Sequence, residues 1–290
     1  MSGTPTSSAQ HATMAQLLQQ GLFHHQRGEL RPAMDNYTQV LRIDPQHPDA
    51  LYYCAVIACH EGQFKEGIEL ARRSLGVKPR QARAHNLIGQ ALHRQGKIKD
   101  ALAAFDDALE CDVNFALAYG NRANMLSELG RHAEALSSFE RALALDPNSV
   151  HDWINRGATL SGLGRFDEAI ASYDKAIALD PQFPLPYINR ADALREAGRF
   201  EEALANFDRV LEMVPKFAEA HVGRALTLCA LGRLEEALTS AERAAELKPE
   251  LAAAHRVQAD VLEVLGRTEE ARAAHDRAAA AQAVVPPNGG

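Results

Sequence analysis

The sequence predicts an all-α protein, a superhelical solenoid of eight 34-residue helix-turn-helix repeats. Three observations carry this expectation. Proline stands at 45, 79, 147, 181, 215 and 249, every interval being 34 or twice 34, with Val113 in the one skipped place. Glycine recurs at 28, 62, 96, 130, 164, 198, 232 and 266 without a gap. Ala, Leu, Glu and Arg dominate a chain that is only 6% aromatic, a usage that suits helices and serves sheets poorly.

The phase of these residues cuts the chain into repeats at 14–47, 48–81, 82–115, 116–149, 150–183, 184–217, 218–251 and 252–285. Each reads as an apolar-periodic helix, a glycine turn, and a second helix that stops before proline, as in LAYGNRANMLSELG followed by RHAEALSSFERALALDP. Glycine can take the left-handed conformation that closes the first helix, and proline cannot continue the second. Residues 1–13, small and polar with no basic or apolar stretch, read as a disordered leader rather than a secretory signal, and 286–290 as a flexible tail. The eighth repeat lacks the terminating proline, and its Ala-rich second helix suits an end that faces solvent, so it is expected to cap the array.

Composition and charge exclude several functions. With 46% apolar and 24% charged residues the chain should bury a core, and a formal net charge of −7 removes the general attraction that a nucleic-acid binder exploits. No run approaches the roughly eighteen apolar residues needed to span a bilayer, so no membrane partner is expected. Cys54, Cys59, Cys111 and Cys229 form no paired motif, which fits reduced thiols and a cytoplasmic location. The chain contains no GxGxxG, Walker loop, GxSxG or HExxH, so neither a catalytic constellation nor a cofactor or metal is expected.

Three further positions sharpen the pattern. Position 8 of each repeat is small (Gly21, Ala55, Gly89, Ala123, Gly157, Ala191, Ala225, Ala259), and position 20 is Ala in every repeat but the second, where it is Gly67. Position 24 is aromatic in five repeats (Tyr37, Phe105, Phe139, Tyr173, Phe207), while Ala71, Ala241 and His275 depart from this, so repeats two, seven and eight are expected to pack less tightly. This pattern resembles the tetratricopeptide repeat (TPR) and covers nearly the whole chain. The resemblance implies a right-handed superhelix, a concave groove lined by the first helix of each pair, and protein or peptide ligands.

Groove position 6 is Asn121, Asn155 and Asn189 in three consecutive repeats. This looks like the asparagine ladder in the TPR domains of protein O-linked N-acetylglucosamine transferases, which holds the backbone of an extended polypeptide. An amide side chain offers donors and an acceptor, so it can pair with a peptide group as a neighbouring strand would. The plainer reading is that these amides bond only to adjacent helices or water. Asn124 and Asn155 fit two amide places of the clamp that binds acidic chaperone tails, but Gly120, Leu185 and Asn189 stand where that clamp needs cations, so that ligand is not expected. Tyr52 and Tyr53 suggest an apolar recognition pocket, or else residues filling the space beside Gly67 and Ala71. His85, His221 and His255 read as packing residues. Arg122, Arg156, Arg190 and Arg224 read as structural partners of the acids at position 25 of their own repeats, Glu140, Asp174, Asp208 and Glu242.

The expected function is a non-enzymatic scaffold that binds an extended segment through Asn121, Asn124, Asn155, Asn189, Tyr52 and Tyr53. Two alternatives remain open: a substrate-selecting subunit acting in trans with a glycosyltransferase, and a self-associating structural protein, with a homo-oligomer as its partner.

Overall fold

The computed structural model describes residues 8–284, all sixteen of whose regular elements are α-helices. They form two compact units divided between Pro147 and Asn148. The first holds α1 (Ser8–Gln26), α2 (Leu30–Ile43), α3 (Pro48–His60), α4 (Phe64–Val77), α5 (Ala82–Arg94), α6 (Ile98–Cys111), α7 (Ala116–Glu128) and α8 (His132–Leu145). The second holds α9 (Val150–Gly162), α10 (Phe166–Leu179), α11 (Pro184–Glu196), α12 (Phe200–Met213), α13 (Ala218–Ala230), α14 (Leu234–Leu247), α15 (Ala252–Val264) and α16 (Thr268–Val284). Within each unit every odd-numbered helix packs on the even-numbered helix that follows it, and that pair packs on the next.

The turn inside each pair is set by one backbone requirement. All eight recurrent glycines have positive φ, between 71° and 81°, where a side chain would be strained. At Gly130 the bonds Gly130 N–H to Ser127 O (3.0 Å) and Arg131 N–H to Leu126 O (2.8 Å) satisfy the last carbonyls of α7 in a Schellman motif. The second helices end before proline, yet α6 ends at Cys111 with Val113 in proline's place. There Asp112 turns extended, and its Oδ1 accepts from Asn114 N–H at 2.9 Å, so a local side-chain turn ends the helix unaided.

Packing within a pair turns on the aromatic of the second helix. Tyr37 covers Gly21, Phe105 covers Gly89 and Tyr173 covers Gly157, each so closely that a Cβ on the glycine would strike the ring. All three rings are buried to within 1% of their surface. Burying one such side chain contributes about 1.5–3 kcal/mol. Phe207 packs in one cluster with Ala191 of its own pair and also faces Gly223 of the following pair, so it couples two repeats as well as closing one.

Two expectations need correction. The departures at Ala71, Ala241 and His275 do not open their pairs: α3–α4, α13–α14 and α15–α16 pack as extensively as the others. Small residues let the backbones close up, and at Gly67 the Cys59 Sγ sits where a Cβ would be. The polar stretch expected to be a disordered leader is partly helical, since α1 starts at Ser8 rather than near Met14. Its exposed Ala- and Gln-containing turns extend a helix already anchored by buried Met14, and propagation is cheap once a helix is nucleated. Residues 1–7 and the tail at 286–290 lie outside the described residues. In α16 Ala271, Ala274, Ala278 and Ala281 form one buried stripe and the opposite face is exposed.

Odd-numbered helices touch across successive pairs (α3–α5, α9–α11, α11–α13, α13–α15), and no pair of even-numbered helices does so to the same degree. The odd-numbered layer is therefore the inner one within each unit, and its free face is the concave side.

Two glycines separate the roles described here. Gly157→Val should lower stability by about 1–3 kcal/mol through overpacking against Tyr173. Gly76→Ala, in α4 with open space around the new methyl, should raise it by about 0.5–1 kcal/mol. Urea unfolding midpoints followed by circular dichroism check both.

Candidate functional site

One hollow lies on the concave side of the first unit, lined by residues of α3 to α7. It encloses about 570 Å³. Its floor is apolar, made by Phe64, Leu87, Phe105 and Met125, and its rim carries His60, Gln90, His93, Arg94, Asn121 and Asn124. Several rim groups are held in place. Asn121 Nδ2 donates to Asn86 Oδ1 at 3.0 Å, and Asn86 is buried, so the amide of Asn121 is oriented with its own carbonyl oxygen left for another donor. The Arg94 guanidinium lies 6.0 Å from the centre of the Phe64 ring, and His93 Nε2 is 2.9 Å from Glu128 Oε1.

Tyr52 and Tyr53 do not line this hollow. Tyr53 stacks on the buried Tyr37 ring at 5.2 Å with an interplanar angle of 19°, and Tyr52 meets Tyr53 edge-on at 5.2 Å. Tyr53 thus packs toward the preceding pair, and Cys59 rather than a tyrosine occupies the space beside Gly67. Burial pushes the Tyr52 hydroxyl above its ordinary range despite the pull of Arg83, and burial together with the charge of His60 pushes His25 down.

In the second unit Asn155 and Asn189 occupy corresponding places on α9 and α11, which touch. Asn189 lines a smaller hollow of about 280 Å³ with Ser161, Phe166, Asp192 and Glu196. Half of the Asp192 side chain is accessible, yet the walls of the hollow crowd it on several sides; this desolvation raises its carboxyl, against the pull of Arg195. The two hollows use the same repeat positions but differ in charge, one rimmed by His and Arg and the other by carboxylates. That matches the distribution along the chain, which has 12 basic and 12 acidic residues up to position 115 and 19 against 26 beyond it. The hollow around Asn121 and Asn124 was not evident from motif spacing. Its floor residues could have been found by noting that Phe64 and Phe166 share a repeat position and meet an aromatic from position 24 in each hollow.

The arginines beside the asparagines are structural, but their partners are not the ones expected. Arg122 donates from Nε to Asp106 at 2.6 Å and from Nη1 to Ser138 Oγ at 2.6 Å. Arg224 does the same with Asp208 and Ser240, both at 2.7 Å, and Arg190 Nε lies 2.8 Å from Asp174. Each acid comes from the preceding repeat, not from the arginine's own. The histidines expected to pack also tie repeats together: His85, His221 and His255 place Nε2 3.4, 3.1 and 2.9 Å from the carbonyls of Pro79, Pro215 and Pro249, and Tyr187 donates to Pro181 O at 3.2 Å.

A double-mutant cycle should give about 0.5–1 kcal/mol of coupling between Arg122→Ala and Asp106→Ala, and less than about 0.3 kcal/mol between Arg122→Ala and Glu140→Ala. Cys54 is buried and its thiol is pushed up to about 11 by desolvation. Native-state alkylation at pH 8 followed by mass spectrometry should therefore show Cys54 reacting at least about two orders of magnitude more slowly than a free thiol.

Sequence profiles of the tetratricopeptide repeat match residues 114–182 and, with overlap, 188–252 and 227–285; the profile of subunit 3 of the anaphase-promoting complex (cyclosome) matches 8–108. The probable UDP-N-acetylglucosamine–peptide N-acetylglucosaminyltransferase SPINDLY of Hordeum vulgare is 26% identical over 117 residues, which are 38% of this chain and 12% of that protein. The chain thus spans only a small part of that relative's length. Among solved structures, YrrB, a TPR protein with an unusual peptide-binding site, aligns at a TM-score of 0.57 and 24% identity over 64% of this chain and 96% of its own. The C-terminal part of a TPR protein from Cytophaga hutchinsonii aligns at 0.66 and 17% identity over 81% and 96%. At these identities the structural likeness concerns the fold. Among the described residues no helix is long and apolar enough to cross a membrane. Helix pairs, glycine turns, buried aromatics and profile matches agree: the chain belongs to the tetratricopeptide repeat family.

Proposed function

We propose that this chain is a non-enzymatic scaffold that holds an extended segment of a partner protein along the free face of its odd-numbered helices. The observation that carries the proposal is the hollow in the first unit, whose apolar floor is ringed by amides, one of them oriented by Asn86. An apolar side chain of the ligand would enter the floor while Asn121 and Asn124 meet its peptide groups. Asn155 and Asn189 would do the same in the second unit. Within the second unit, if α9 and α11 lie about 10 Å apart and an extended strand rises about 3.3 Å per residue, Asn155 and Asn189 meet ligand residues about three apart. Such contacts tolerate varied ligand sequences, with the floor supplying the preference. All four cysteines are free, which suits the reducing cytoplasm as the site of action.

A second reading draws on the barley relative. Its name describes a peptide glycosyltransferase, and the match lets this chain serve as a substrate-selecting subunit for such an enzyme in trans.

The test is calorimetry with a partner segment captured by pull-down. Asn121→Ala, Asn155→Ala and Asn189→Ala together should weaken binding by about one to three decades, since each lost bond is worth about 0.5–1.5 kcal/mol net, with circular dichroism unchanged. Inserting proline into the ligand should cost more than scrambling its side chains opposite these residues. Undiminished affinity in a folded triple mutant would falsify the ladder.

A further inference from the structure

The last repeat carries a side-chain cluster that the peptide-binding reading does not use. Asp260 and Glu263 stand three residues apart on α15, so they share one face, and His275 reaches them from α16. One donor atom from each lies within 4.8 Å of the other two, and His275 Nε2 is 3.0 Å from Glu263 Oε1. All three side chains are exposed. His275 occupies the repeat position that holds a buried aromatic in five other repeats, so it is not there to close the helix pair.

Two acids near the turns of this unit are matched by arginine at short range, Glu236 by Arg233 and Glu270 by Arg267, both 2.6 Å. Among the described residues neither Asp260 nor Glu263 is paired with a lysine or arginine, and the one partner recorded for Glu263 is the imidazole. Two carboxylates and an imidazole nitrogen from adjoining helices, with solvent on the open side, have the donor chemistry of a transition-metal site. A Zn²⁺ ion takes oxygen at about 2.0–2.2 Å and nitrogen at about 2.0–2.1 Å and completes its shell with water. Donors around one such ion stand closer than 4.8 Å, and exposed side chains reach that spacing by small rotamer changes. The imidazole favours zinc or its transition-metal neighbours over Ca²⁺ and Mg²⁺, which take oxygen.

We propose that Asp260, Glu263 and His275 form a divalent transition-metal site, for which Zn²⁺ is the natural occupant, joining α15 to α16 in the terminal repeat. The ion neutralises the two carboxylates and cross-links the two helices of the pair. Cys229 on α13 is near enough to feel the charge of Asp260, which adds to the burial that raises its thiol; it is a nearby group outside the cluster. Spacing along the sequence hides such a site because its ligands come from two helices joined across a turn.

The experiment is calorimetric titration of the chelator-treated full chain with Zn²⁺, with Mg²⁺ and Ca²⁺ as separate arms. One Zn²⁺ should bind per chain with a dissociation constant on the order of 10 μM, and the other two ions should give no saturable heat at equal concentration. His275→Ala, Glu263→Gln and Asp260→Asn should each weaken binding at least about tenfold. Hydrogen exchange gives an independent readout: Zn²⁺ should slow exchange in α16 of the wild type and leave it unchanged in His275→Ala. Equal binding in the wild type and His275→Ala, or no saturable binding below 1 mM, overturns the proposal. So does binding abolished by Cys229→Ser but retained in His275→Ala, which would put the metal on the thiol.

Discussion

The close approach of two helices over a small residue is the constraint on which the structure rests. Glycine or alanine at position 8 leaves a recess, and an aromatic ring from the partner helix fills it, as Tyr173 does over Gly157. That contact sets the spacing and rotation of the pair, so it also decides which residues face the neighbouring pair and which face solvent. Positions such as Asn121 and Gln90 reach the concave side because the ring has already fixed the roll of their helices. The glycine turn and the helix ends position the chain for this contact but could not enforce it alone.

Between pairs a polar seam supplements the apolar core. Arg122, Arg190 and Arg224 sit in the first helix of their repeats and reach both a carboxylate of the preceding repeat and an oxygen of their own second helix. A guanidinium offers five donors in a fixed fork, so one side chain can set the angle between two elements as well as join them. Partial exposure keeps each ion pair weak. The value of the seam is geometric: one such fork joins repeats three and four in the first unit, and two join repeats five to seven in the second.

Much of this was legible because a repeat states its rules many times over. Helix ends, the turn residues and the buried aromatics each recur at fixed spacing, and a single sequence served as its own comparison. The same symmetry hid what it could not distinguish. Asp106 and Glu140 occupy equivalent positions one repeat apart, so periodicity cannot say which of them Arg122 meets; only the direction in which the second helix presents that side chain decides it. The hollow escaped for a related reason, since its lining draws on α3 to α7 and no one repeat contains it. The start of α1 was missed because polar composition was weighed above the helix-forming capacity of Ala and Gln next to an anchored helix.

Cys59 belongs to two surfaces at once. Its sulfur fills the recess that Gly67 leaves in the core of its helix pair, and its side chain also forms part of the wall of the hollow. At that point the interior and the hollow are separated by a single atom. The room in the hollow is therefore governed partly from behind, by a residue that does not line it: a bulkier neighbour at 67 would drive the sulfur forward, and the shape of the hollow would change with no substitution on its visible face.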